Sequence, residues 1–419
     1  NCNKQNEKIE LVDEKTLVIG VDIGSYDEYA RAFTCRKQEL SKKPLHFHNT
    51  AEGFKTFKDW AVNIMKANGL IVGMEPTSIY WEALATYCKD NGMILVHVNP
   101  AAVHKSKELD DNDPSKNDRK DPKVIAGLVA DGRYQFPYMP EEEYAELREL
   151  SNLRIRTQES LTQCKNRLSR WYSRYFPEFK GAYKNVVSKT AMMILDLYPL
   201  PEDIVTLGVE GILQIWRSKK VRGAGERKAR KLYEAARNSI GRKEAASIAR
   251  IEFKSIKEDL DRYQERLDEI ENKADEILPK IKNVDKLFEI KGVGKATVLT
   301  FLSEVGEISR FDNPKEIQKL AGYAIVTNES CKHQGEKRIS YRGRKRLRWV
   351  LYQTALSVIA KNAEFRQIHA YYTTRTNNPL KGIQSVVAVA CKMIRIFYKI
   401  LTDGVSYDGT KMTQDIVHA

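Results

Sequence analysis

The chain has 419 residues, 42% of them hydrophobic and 30% charged, and Lys plus Arg exceed Asp plus Glu by 14. Its length implies two or three domains, and its composition is that of a soluble globular protein. No apolar run approaches the length of a membrane span, and the positive balance points to a polyanionic partner.

The six cysteines (Cys2, Cys35, Cys88, Cys164, Cys331 and Cys391) form no CxxC pair. This argues against a zinc ribbon or a disulfide framework and fits a reducing cytoplasm, and no secretory-type start is expected.

In chain order, LVIGVDI at residues 17–23 predicts a buried strand, and a second strand is expected around Ala30–Thr34. Phe54, Phe57, Ala61 and Met65 give 52–68 a helical period. Leu70–Met74 predicts a short strand with Glu75 at its end, Trp81–Asn91 a helix, Met93–Val98 a strand and Asp118–Ala130 a helix. Strands alternating with helices imply an α/β layer domain over residues 1–140. A linker is expected at QFPYMPEEE, residues 135–143.

Two long heptad patterns follow, over 141–284. One runs Leu147, Leu150, Arg154, Thr157, Leu161, Cys164, Leu168, Trp171, Tyr175. The other runs Ala249, Phe253, Ile256, Leu260, Tyr263, Leu267, Ile270, Ala274, Ile277. They are stopped by Pro177 and Pro279 and predict a coiled-coil, oligomerising middle, paired within or between chains. A basic, mostly helical domain is expected from Asp285 to the end. In IKGVGKATVLTFLSEVG, Gly292 and Gly294 resemble a helix-hairpin-helix turn flanked by Lys291 and Lys295, whose backbone N–H groups suit a DNA phosphate. Further on, Arg342, Arg344, Lys345, Arg346 and Arg348 form a run that suits phosphate tracking. The interleaved Tyr323, Tyr341 and Trp349 suit either base stacking or the core.

Four acids stand in contexts where function collects: Asp22 and Glu75 at strand ends, Asp118 and Asp121 three apart on one helix face. An all-carboxylate set suits Mg²⁺, and two such ions can hold the attacking and leaving oxygens of a phosphoryl transfer. An N-cap role is the alternative for Asp118. Asp27, Glu28, Asp110, Asp111 and Asp113 compete with the set but lack its contexts.

These motifs carry a resemblance. GVDIG, MEPTSIYW, VNP, KNDRKDPKVIA, then IKGVGKATVLTFLSEVGEISRF, QKLAGY and RISYRGRKRLR follow the order found in the IS110 family of insertion-sequence transposases. The chain resembles that family over nearly its whole length. The resemblance implies an RNase H-like (RuvC-like) DEDD domain, a coiled-coil middle, and a C-terminal transposase domain over 285–419. It further implies Asp22, Glu75, Asp118 and Asp121 as metal-holding catalytic acids and Ser330 as a nucleophile forming a phosphoserine linkage to DNA. Double-stranded donor and target DNA, a structured guide (bridge) RNA, a homo-oligomer (dimer or tetramer) and a prokaryotic cytoplasmic setting are the implied partners and place. The family usually has Gly where Ser78 and Cys331 stand, and Thr at Asn117. Taken alone, Ser330 reads as a loop serine, with Thr327 and Ser340 as local competitors. Two other readings stay open: a resolvase-like metal nuclease using activated water, and a non-enzymatic nucleic-acid scaffold.

Overall fold

A computed structural model describes residues 2–64, 69–110, 121–221, 223–326, 329–330, 333–334 and 338–412. Met65, Asp111, Asp113, Asn117, Asp118, Thr327 and Cys331 lie outside the described residues, as does the side chain of Ser330. The chain divides into two compact units, Asn1–Met139 and Pro140–Ala419.

In the first unit a six-stranded sheet is built from β1 (Thr16–Ile23), β2 (Asp27–Phe33), β3 (Leu45–His48), β4 (Gly69–Met74), β5 (Ile94–Val98) and β6 (Tyr134–Gln135). Its spatial order is β3-β2-β1-β4-β5-β6. The first three strands are antiparallel neighbours, β1, β4 and β5 are parallel, and β6 returns antiparallel. The helices are α1 (Cys2–Glu10), α2 (Ala51–Ile64), α3 (Trp81–Asp90), α4 (Pro100–Asp110) and α5 (Asp121–Ala130). This mixed sheet with flanking helices fits an RNase H-like domain.

The near-continuous apolar run of β1 is explained by burial on both faces. Alternation sends Leu17, Ile19 and Val21 to one side, where they pack with Phe57, Ala61, Leu84 and Cys88 of α2 and α3. Val18 goes to the other, with Ile71, Val96 and Val98 against Val124, Ile125, Leu128 and Val129 of α5. The expected strands and helices of this unit are present with small shifts of their ends. Strand β3, helices α1 and α4 and strand β6 were not expected. In β3 only Phe47 of four residues enters the core, too few to show an alternation.

The second unit is mostly helical. Its two long helices, α6 (Glu142–Tyr175) and α11 (Ala246–Ile277), pair antiparallel with each other within the chain. Trp171 Nε1 donates to the Ala249 carbonyl at 3.0 Å, and Cys164 Sγ reaches the Ile256 carbonyl at 3.3 Å. Between them lie α7 (Phe179–Ala182), α8 (Lys189–Leu195), α9 (Pro201–Ser218) and α10 (Glu226–Arg237). These close a core on Trp171, Tyr172, Phe179 and Trp216. Thr157, a polar seam position, is buried with its hydroxyl donating to the Leu153 carbonyl at 2.8 Å, so it costs no unmatched polar group.

The remaining elements are α12 (Lys295–Val305), α13 (Pro314–Leu320), the two-residue strands β7 (Ile325–Val326), β8 (Glu329–Ser330), β9 (His333–Gln334) and β10 (Arg338–Ile339), then α14 (Lys345–Lys361), α15 (Ala363–Thr374) and α16 (Gly382–Asp403). Phe301, Leu351, Phe365 and Phe397 centre their core, which also takes in Leu147, Ala274 and Ile277 from the long pair.

Candidate active site

Parallel pairing of β1 with β4 sets Val21 beside Met74, so Asp22 and Glu75 are the next residues along neighbouring strands. Period-two alternation puts both on the face that carries Gly20 and Gly73, themselves register partners, and α5 covers that face. The glycines are what let it come close. A Cβ at Gly20 would lie 1.9 Å from the Pro122 carbonyl oxygen, and one at Gly73 would lie 2.5 Å from Val129 Cγ2. Helix α5 therefore begins against β1, with Asp121 in its first turn.

Asp22, Glu75 and Asp121 are all partly buried. Burial pushes the Glu75 carboxyl above the usual carboxylate range; the Asp121 charge adds to this, and Lys107 opposes it. Lys107, on α4, donates to Asp121 Oδ2 at 2.5 Å. Two of the expected acids thus share one electrostatic neighbourhood with a lysine that no motif marked. Neighbouring carboxylates such as Glu75 and Asp121 repel one another unless a cation stands among them. The ammonium of Lys107 supplies one positive charge there. Carboxylate oxygens are the donors that a hard divalent cation prefers.

In the second unit, Ser330 of β8 pairs through its backbone with His333 of β9. Gly292 takes φ +105°, and a Cβ on it would lie 2.9 Å from Val358 Cα, so close packing on α14 requires glycine there. Gly294 stands immediately before α12. Lys295 pairs with Asp275 at 2.6 Å. Arg344 Nη1 donates to the backbone and carboxylate of the mostly buried Glu304, at 2.9 and 3.2 Å. Arg348 Nη1 donates to the carbonyls of Ala321 and Tyr341 and its guanidinium lies over the Tyr341 ring. Arg344 and Arg348 thus tie together the loop that leads into α14. Arg346 reaches Asn152 Oδ1 at 2.5 Å. Lys291, Arg342 and Lys345 are exposed. Tyr323 is a core residue whose hydroxyl donates to the Arg348 carbonyl, which answers the stacking alternative for it; Tyr341 and Trp349 are exposed.

Among the described residues no helix is long and apolar enough to cross a membrane. Residues 19–177 match the DEDD transposase family of IS110, and residues 284–372 match the transposase IS116/IS110/IS902 family. A Streptomyces clavuligerus protein described as the insertion element IS116 uncharacterized 44.8 kDa protein is 24% identical over 293 residues, covering 69% of this chain and 71% of the relative. The two matched regions together span more than half of the chain, and it belongs to the IS110 family of DNA transposases.

Proposed function

We propose that this transposase cuts and rejoins DNA through a covalent phosphoserine intermediate on Ser330. Asp22, Glu75, Asp118 and Asp121 would hold Mg²⁺. The observation that supports the reading is that strand register sets Asp22 beside Glu75 and that Asp121, in the first turn of α5, acts electrostatically on Glu75. When bound, the metal supplies charge neutralisation and alignment at the phosphodiester.

In the cutting step the bond from Ser330 Oγ to phosphorus forms as the bond from phosphorus to the departing sugar oxygen breaks, and the serine proton passes through solvent to that oxygen, which leaves as a hydroxyl. Attack by a sugar hydroxyl of the exchanged strand reverses the step, so bond energy is conserved through strand exchange. The residues Lys291, Lys295, Arg342 and Lys345, with the backbone at Gly292 and Gly294, are proposed to follow phosphates; these contacts give affinity and position rather than sequence. Arg344 and Arg348 would act on DNA through the loop they brace. Sequence choice is assigned to a structured noncoding RNA that pairs with donor and target DNA, as the family resemblance implies. The active form is a homo-oligomer working in a prokaryotic cytoplasm.

The test pairs two variants of the full chain with its DNA and co-purified RNA. Asp22→Asn should abolish cleavage while DNA binding persists. Ser330→Ala should abolish the protein–DNA adduct seen on denaturing gels. Strand cleavage persisting in Ser330→Ala would replace the recombinase reading with a nuclease using activated water.

A further inference from the structure

Apart from the acids proposed above, the described residues hold one group of side chains with the makings of a cation site: Asp27, His46 and His48. The sheet builds it. His46 and His48 are two apart on β3, so both imidazoles leave the same face while Phe47 between them enters the core. Asp27 is the register partner of His48 on β2. Its Oδ1 lies 2.7 Å from His46 Nε2 and 3.1 Å from His48 Nδ1. The three potential ligand atoms all lie within 4.8 Å of one another.

The geometry points to a transition-metal site of the two-histidine, one-carboxylate type, selective for an ion such as Zn²⁺ over Mg²⁺. Tetrahedral zinc holds nitrogen and oxygen ligands at about 2.0–2.2 Å, which sets neighbouring ligand atoms about 3.3–3.5 Å apart. The two spacings to Asp27 Oδ1, 2.7 and 3.1 Å, fall a little short of that value and the two imidazoles lie within 4.8 Å of each other, so closing on an ion needs only small side-chain movements. Both rings are already oriented: His48 stacks on Tyr26 with centroids 4.4 Å apart, and His46 stacks on Tyr29 at 4.9 Å. Such pinning lowers the entropy lost on binding. All three ligands are about half exposed, which leaves the other coordination positions open to water or an incoming oxygen. Imidazole nitrogen suits zinc and its neighbours, whereas Mg²⁺ prefers oxygen, so the two sites divide metals by donor chemistry.

The site belongs to the same sheet face as the acids. Tyr29 is the register partner of both His46 and Asp22, and Glu75 follows on β4. His46, Tyr29, Asp22 and Glu75 thus form one row across four strands, which places His46 about 10 Å from Asp22 at ordinary strand spacing.

The experiment uses the full chain, stripped of metal and titrated with Zn²⁺ in excess Mg²⁺ by calorimetry, with Co²⁺ as an optical probe. The expected result is one equivalent of Zn²⁺ and an intense visible Co²⁺ spectrum of tetrahedral type. Both should be lost in His46→Gln/His48→Gln and kept in Asp22→Asn/Glu75→Gln. The second variant separates this site from the proposed active site, and wild-type Co²⁺ spectra need no variant to fold. Absence of Zn²⁺ binding to wild type, binding unchanged in the double-histidine variant, or binding lost with the acids would each overturn the assignment.

Discussion

Gly20 on β1 and Gly73 on β4 are register partners, and both lie where α5 crosses the sheet at a distance that leaves no room for a side chain. Two residues further along each strand stand Asp22 and Glu75. The pair is therefore a spacer set to zero: it seats α5, and with it Asp121, against the strand ends that carry the other two acids.

The two glycines should differ in cost. Gly20→Ala drives a methyl into backbone atoms of Pro122 and Ala126, whereas Gly73→Ala meets the side-chain tips of Val129 and Ile125. Overpacking of this kind costs about 1–3 kcal/mol. Thermal melts should show the larger loss for Gly20→Ala, and DNA cleavage should fall with it because Asp121 is displaced. Equal melting temperatures for the two variants would contradict the close approach of Pro122.

Glu28 makes a separate prediction. It is fully buried, neither carboxylate oxygen has a hydrogen-bond partner among the described residues, and burial pushes its carboxyl from 4.5 up to about 8. His97 is shifted the other way, down from 6.5 to about 4, also by burial. Glu28 holds a proton in the folded state that the unfolded chain has lost, so it lowers stability as pH rises from 4.5 to about 8. His97 raises stability over pH 4 to 6.5, because there the unfolded chain holds the extra proton. The two effects oppose each other up to pH 6.5, beyond which Glu28 acts by itself. Denaturant unfolding of the wild type should weaken between pH 6.5 and 8 by about 1–2 kcal/mol, at roughly 1.4 kcal/mol per pKa unit. Glu28→Gln should flatten that decline.

Lys107 supplies positive charge beside Asp121 and Glu75. In Lys107→Met the acids lose that compensation, and a partly exposed pair of this kind is worth up to about 1 kcal/mol. The variant should melt lower than wild type without Mg²⁺ and gain more from added Mg²⁺, since a ligand stabilises in proportion to how well the folded state holds it. A Mg²⁺ response no larger than that of wild type would place the cation elsewhere.

Ser78 adopts φ +57°, a left-handed conformation that favours glycine. It stands where the family resemblance implies glycine. Ser78→Gly should raise the melting temperature through relief of about 1 kcal/mol of backbone strain. A lower melting temperature would show that the serine side chain repays the strain.

The basic run should separate into two groups. Arg344→Ala leaves the Glu304 carboxylate, only 10% exposed, without its partner, and should cost about 1–3 kcal/mol in stability. Lys345→Ala and Arg342→Ala should leave stability unchanged, weaken DNA binding for all sequences alike, and each reduce the salt slope by about 1. Fluorescence anisotropy over a salt series, alongside melts, reads both.

Strands β1, β2, β4 and β5 of the first sheet, helix α5 and both long helices were legible in sequence, because apolar periodicity follows from burying one face or both. The acids at strand ends were legible through their contexts. The pairing partner of the two long helices was not, since a heptad seam states only that a partner exists. Nor were the roles of the arginines. Arg344 and Arg348 look like their exposed neighbours in sequence, and only the positions of Glu304 and the Tyr341 carbonyl turn them inward.

The sequence by itself determined which segments bury apolar surface, which carboxylates stand at strand ends, and the family to which the chain belongs. Tertiary structure decided which charges meet. Strand register put Asp22 beside Glu75 and His48 beside Asp27, a side chain 32 residues of sheet and helix away brought Lys107 to Glu75, and packing left the Glu28 carboxylate without a hydrogen-bond partner among the described residues. Electrostatic interaction depends on distance and burial, and neither can be read from spacing along a chain that folds back on itself.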